Sequence, residues 1–141
     1  MEQVLMVIVS LAQMDVRQGD VEANRRKALE FIEEAGKRGS DFLVLPELWT
    51  TGYAFDSLSK LAETLDGETV SMLKRKAKQY GMYIIGSMAE LRNGENFDTI
   101  PLVGPEGLIG TYSKIHLFKP LREHEYFASG ESLGMFDTKF G

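Results

Sequence analysis

The sequence predicts an α/β fold, a β-sheet with two main helices on one face. Three observations lead there. Short apolar runs rich in β-branched residues recur at Val4 to Val9, Phe42 to Leu45 and Met82 to Met88. Between them, apolar residues return at helical spacing within Val21 to Lys37 and from about Glu68 to Tyr80. Beyond the third run, strand-like segments are separated by Asn-Gly and Gly-Pro-Glu-Gly turns, the pattern of an antiparallel meander.

Val4 to Val9 is almost unbroken in its apolarity, which predicts a strand covered on both faces. Asp15 to Asp20 is polar, contains Gly19 and reads as a loop, with Asp20 placed to cap the helix that follows. Within that helix Ala28, Ile32 and Ala35 share one face with Leu29 beside them, and Glu30, Glu33, Glu34 and Lys37 lie on the wet side. Gly36 and Gly39 bracket its end. Phe42 to Leu45 is a second buried strand, ended by Pro46, which has no N–H to give a ladder. Asp56 to Leu65 predicts a short helix, Asp66-Gly67 interrupts it, and the longer helix runs on to Tyr80 before Gly81. Met82 to Met88 is the third strand, followed by a hairpin turn at Arg92-Asn93-Gly94-Glu95. Phe97 to Val103 and Leu108 to Tyr112 are expected to pair antiparallel. Ser113 to Gly134 has little periodicity, and irregular stretches of that length usually carry function. Met135-Phe136-Asp137 is expected to begin a further strand, with Thr138 to Gly141 as its turn. No repeat, low-complexity segment or domain boundary interrupts the 141 residues.

Composition narrows the function. A chain of 141 residues fits one domain and can bury roughly 68% of its unfolded surface. A net charge of -5 without a basic stripe argues against a nucleic-acid partner, and Lys74-Arg75-Lys76-Ala77-Lys78 reads as a solvated helix face. The apolar run Val4 to Ala12 is too short to span a bilayer and follows Glu2 rather than a basic start. A cytoplasmic protein with no membrane partner is therefore expected. There is no cysteine, which excludes disulfides, thiolate metal sites and any thiol nucleophile within this chain.

Two motifs point to chemistry. Glu47, in Leu45-Pro46-Glu47, follows a buried strand at the end where α/β sheets place their ligands. Its apolar neighbours Leu45, Leu48 and Trp49 would raise its pKa and a nearby ammonium would lower it, a setting for a group that takes and returns a proton. The plain alternative is a loop carboxylate at a strand end. Lys114, among Tyr112, Ile115 and Phe118, is either an ammonium aimed at a developing oxyanion or a surface lysine whose stem packs on the sheet. Glu123, in Arg122-Glu123-His124-Glu125, could orient Lys114, with Glu125 as its competitor. His116 and His124 match no usual metal-ligand spacing, so no metal is expected. Ser113 lies beside Lys114 but has no Gly-x-Ser-x-Gly elbow around it, and there is no phosphate or dinucleotide fingerprint.

Taken together, these residues resemble the nitrilase superfamily of carbon–nitrogen hydrolases. The likeness runs through Ala12-Gln13, Gly19-Asp20, Asn24, Leu45-Pro46-Glu47, Gly52-Tyr53, Gly86-Ser87, Pro105-Glu106-Gly107, Lys114 to Phe118, Tyr126-Phe127 and Gly130. The resemblance implies that Glu47 is the general base, Lys114 the oxyanion-stabilising lysine and Glu123 a supporting glutamate. It also implies that Tyr53 and Tyr126 lie at the substrate. The family attacks a nitrile or amide carbon with a cysteine thiol and needs no metal or organic cofactor. Its fold is a four-layer αββα sandwich, of which residues 1–141 would be the N-terminal portion, ending before the strand that bears the nucleophile. Asp98, in Phe97-Asp98-Thr99, is a departure, since many relatives have Asn before the Thr.

Two functions follow as expectations. One is the glutamate–lysine part of a hydrolase of small non-peptide amides or nitriles, inactive alone and completed by a C-terminal half. The other is a non-catalytic binding or oligomerisation module of the same ancestry, working as a homo-oligomer.

Overall fold

The computed structural model describes residues 6–141. Val4 and Leu5, the start of the expected first strand, lie outside them. The order of elements is β1 (Val9–Leu11), α1 (Val21–Lys37), β2 (Phe42–Val44), a 3-10 turn at Phe55–Ser57, α2 (Leu58–Leu61), α3 (Glu68–Tyr80), β3 (Tyr83–Ile85), β4 (Met88–Arg92), β5 (Glu95–Gly104) and β6 (Gly107–Ser113). Two further 3-10 turns follow, at Lys119–Leu121 and Glu123–Glu125.

The strands form one mixed sheet. β1, β2 and β3 are parallel neighbours, an arrangement that requires crossover connections, which α1 and the α2–α3 segment supply. β5 is long enough that one of its edges takes β4 along its first half and β3 near its end. Its other edge takes β6, with a register shift between Leu102 and Val103.

α1 begins where the Asp20 carboxylate accepts the Ala23 N–H at 3.0 Å, and it buries Asn24, Ala28, Ile32 and Ala35. α3 buries Val70, Met72, Leu73 and Ala77 and ends at Gly81, whose left-handed φ of 62° costs glycine least. The helices approach closely at Gly36, where a Cβ would lie 2.3 Å from the Tyr80 ring. Their buried faces pack with Leu43, Leu45, Trp49, Ile84, Met88 and Val103 into the main core. A smaller cluster of Leu48, Leu58, Ala89 and Phe127 sits apart.

Three expectations need correction. The first run is not covered on both faces: Val9 is 52% exposed and Leu11 69%. The helices cover one face of the sheet, so unbroken apolarity overstated the cover present in this chain. The third run is broken rather than continuous, since β3 stops at Ile85 and β4 begins at Met88. A Cβ on Gly86 would come within 2.6 Å of Leu45 Cβ and 3.0 Å of Trp49, so the chain bends there to let the loop after β2 pass. Finally, Met135-Phe136-Asp137 forms no strand. Phe136 instead packs closely on Gly110, while Phe140 packs on Phe42 and the Lys139 N–H donates to the Tyr83 hydroxyl. Side-chain anchors hold this segment to the sheet in place of a backbone ladder.

Candidate active site

The site forms where β2, β5 and β6 reach the same end of the sheet. Glu47 lies in the turn after β2, and Ser87 secures that turn from the bend between β3 and β4. The Ser87 hydroxyl accepts the Leu48 N–H at 2.8 Å and its carbonyl accepts the Trp49 N–H at 3.1 Å. Leu48, wholly buried, takes the left-handed conformation at φ 46°. That is a costly conformation for a side-chain-bearing residue, held here by its surroundings.

Lys114 follows the last residue of β6, and its N–H donates to the Asp98 carbonyl at 2.9 Å. Its ammonium donates to Glu47 Oε1 at 2.8 Å and to Glu123 Oε1 at 3.1 Å. Glu123 is buried, and its Oε2 accepts the Phe118 N–H at 2.6 Å. The residue before it, Arg122, is also left-handed, at φ 59°. The Tyr53 hydroxyl donates to Glu47 Oε2 at 3.0 Å, so both oxygens of Glu47 are engaged.

The ionisation states follow from these contacts. Burial works against charge on Glu47, but hydrogen bonds from Lys114 and Tyr53 outweigh it and hold the carboxyl below its ordinary range. Of the two opposing influences expected from sequence, the ammonium wins. Burial likewise opposes charge on Lys114, and its bonds to Glu47 and Glu123 reverse that and hold it firmly protonated. The Tyr53 phenol is pushed up by burial and by its bond to Glu47, so it stays a donor.

The structure thus brings Glu47, Lys114, Glu123 and Tyr53 together. Glu125 is turned outward onto Arg122, which separates it from Glu123. The Tyr126 ring tilts against Phe55 at 5.2 Å, Tyr53 meets the same ring edge-on at 5.8 Å, and the Tyr126 hydroxyl donates to Asp56 at 2.8 Å. Ser113 bonds Thr99 and Arg92, because neighbouring residues of a strand point to opposite faces and Lys114 takes the other. Neither histidine joins a metal-capable group among the described residues.

A cavity of about 260 Å³ lies against this constellation, bounded by Leu45, Glu47, Ser87, Asp98, Tyr112 and Lys114 among others. Asp98 is the residue that sequence reasoning noticed only as a departure. It is 4% exposed, and its Oδ1 is buried with no hydrogen-bond partner among the described residues. Burial pushes its pKa up to about 6, with the Ser87 hydroxyl pulling it down and the charge of Glu47 pushing it further up. The register shift in its pairing with β6 puts it beside Lys114, whose N–H bonds its carbonyl, and the sequence carries no signal of that shift.

The family model of the carbon-nitrogen hydrolases matches residues 8–141, and the chain belongs to that family. It is 40% identical over 131 residues to the 2-oxoglutaramate amidase of Bacillus subtilis, covering 92% of this chain and 50% of that protein. It is 37% identical over 140 residues to a nitrilase of Pyrococcus abyssi, covering 96% of this chain and 53% of that one. Among solved structures, XC1258 of Xanthomonas campestris, a CN-hydrolase superfamily protein, matches with a TM-score of 0.82 at 31% identity, over 88% of this chain and 46% of that one. The chain spans about half the length of the curated relatives it matches. No helix among the described residues is long and apolar enough to cross a membrane.

Proposed function

We propose that this chain supplies the glutamate–lysine–glutamate part of a site that hydrolyses a small non-peptide amide or nitrile, the nucleophile being a cysteine thiol from sequence outside these 141 residues. The observation that carries this reading is the Lys114 ammonium held between Glu47 and Glu123, at 2.8 and 3.1 Å. The Bacillus relative is a 2-oxoglutaramate amidase, which favours a small carboxamide over a nitrile as substrate.

In this mechanism the ionised Glu47 takes the thiol proton as sulfur attacks the amide carbon. Lys114 stabilises the negative charge that develops on the amide oxygen. As the tetrahedral adduct collapses to a thioester, the protonated Glu47 gives its proton to the nitrogen, which leaves as ammonia. Water then attacks the thioester, Glu47 takes its proton, and the acid departs as the thiol is restored. Glu123 keeps Lys114 aimed, and Tyr53 holds the second oxygen of Glu47 and borders the substrate. Tyr126, which shares the Phe55 ring with Tyr53, is proposed to border the substrate as well. The scheme calls on no metal or organic cofactor.

The test is complementation. The chain is mixed with the C-terminal half of the Bacillus relative, and ammonia release from 2-oxoglutaramate and simple carboxamides is followed. Release is expected from the mixture alone, and is expected to fall at least 100-fold with Glu47→Gln or Lys114→Ala. Equal release from the unmixed chain would overturn this reading.

A second reading is binding without turnover, for which the cavity bounded by Glu47, Asp98 and Lys114 would be the seat. It predicts saturable binding of a small amide by the unmixed chain, and no release of ammonia from any mixture.

A further inference from the structure

Asp98 has no part in the scheme above, yet it borders the same cavity as Glu47 and Lys114. Its place is set by the backbone: β5 pairs it with Ala89 of β4, and its carbonyl accepts the Lys114 N–H. Glu47 from the turn after β2, Ser87 from the bend before β4 and Lys114 from beyond β6 border the same cavity as its carboxyl. The charge of Glu123, in the last 3-10 turn, bears on it as well. One ammonium already answers two carboxylates there. A third negative charge, 4% exposed and with an unpartnered oxygen, would have no cation left to balance it. Buried carboxyls that share a site do not ionise independently.

We propose that Asp98 is a positioning residue for Glu47: the two carboxyls titrate as one coupled pair, so that the proton state of Asp98 governs how readily Glu47 takes a proton. With Asp98 neutral, Glu47 stays ionised and bound to Lys114. When Asp98 loses its proton, the added negative charge raises the proton affinity of Glu47 and competes for the same ammonium. This rests on the proposed reading of Glu47 as the base, but the coupling itself does not depend on turnover.

The experiment is a carboxyl-carbon NMR titration of the ¹³C-labelled chain, run in parallel on Asp98→Asn. Asp98 is expected to titrate near 6 rather than at the ordinary 3.8. The Glu47 carbon is expected to show its own step at low pH and a second deflection at the pH where Asp98 ionises. In Asp98→Asn that deflection disappears and the low-pH step remains. An Asp98 step at the ordinary value, a Glu47 curve with no deflection, or a deflection that persists in the variant would each overturn the proposal. If the variant does not fold, the two parent curves decide. Complementation keeps the failures apart: no ammonia with coupled curves removes the hydrolase reading alone, and ammonia with uncoupled curves removes this inference alone.

Discussion

Asp98 is a buried carboxyl with a stability consequence of definite sign. Its folded pKa, about 6, lies above its ordinary 3.8, so between those values the native state binds more protons than the unfolded one. Stability contributed by this group is therefore complete below the lower value and lost as pH rises through the upper one. Asp98→Asn removes that penalty, so the variant is expected to be more stable than the parent at pH 7, by about 1–3 kcal/mol. The gain should shrink to nothing by about pH 4, and urea unfolding at both pH values checks it. The opposite order, with the gain at acid pH, would show that Asp98 is stabilised as an anion. At this scale Glu47 and Lys114 were legible because each sits in a recognisable local motif. Asp98 was harder to place for a backbone reason. Counting outward from the Gly104–Gly107 turn without a bulge puts Ser113 opposite Asp98, whereas the shift between Leu102 and Val103 slides Ser113 opposite Thr99 and brings Lys114 to Asp98. The resemblance singles out Glu123, but the residues alone leave Glu125 as an alternative, because burial is not revealed by two glutamates two positions apart.

Among the elements, the bend at Gly86-Ser87 matters most for the site. It interrupts what would be one strand, and the turn bearing Glu47 hangs on it. Gly86→Ala would push a methyl against Leu45 and the Trp49 ring, in the packed core. A destabilisation of about 1–3 kcal/mol is expected. Faster hydrogen exchange at the Leu48 and Trp49 amides is expected with it, since both bond to Ser87. Unchanged exchange at those two amides would mean that the turn stands without the bend. α1, α3 and the Asn93-Gly94 hairpin were readable because caps, helical spacing and turn residues are local signals. The strand expected at Met135 was not, because pairing depends on a free neighbouring edge and no local pattern reports one.

For the whole molecule, α1 and α3 pack on one face of the sheet among the described residues. Met6, Val9, Leu11, Leu133 and Met135 are among the exposed apolar side chains. Exposed apolar surface of this kind favours association. The chain alone is expected to bind an apolar fluorescent dye and to self-associate in sedimentation. Val9→Lys with Leu11→Lys should reduce both without altering the helical circular dichroism. Monomers that bind no dye would show that this surface is covered in solution. The α/β class and the helical face could be read from periodicity, while the cover on β1 could not, since a run of apolar residues records a preference for burial and not what supplies it.

Leu48 and Arg122, the two bulky residues with left-handed backbones, each adjoin one of the carboxylates that grip Lys114. Both anions are thus aimed by main-chain bends, which do not collapse inward when their counter-ion is taken away. Deleting the lysine side chain should leave a ready-made socket for a free cation of the same shape. Lys114→Gly is expected to melt at a higher temperature in methylammonium chloride than in sodium chloride of equal strength, with the parent chain indifferent to the exchange; equal melting in both salts would mean that the socket closes.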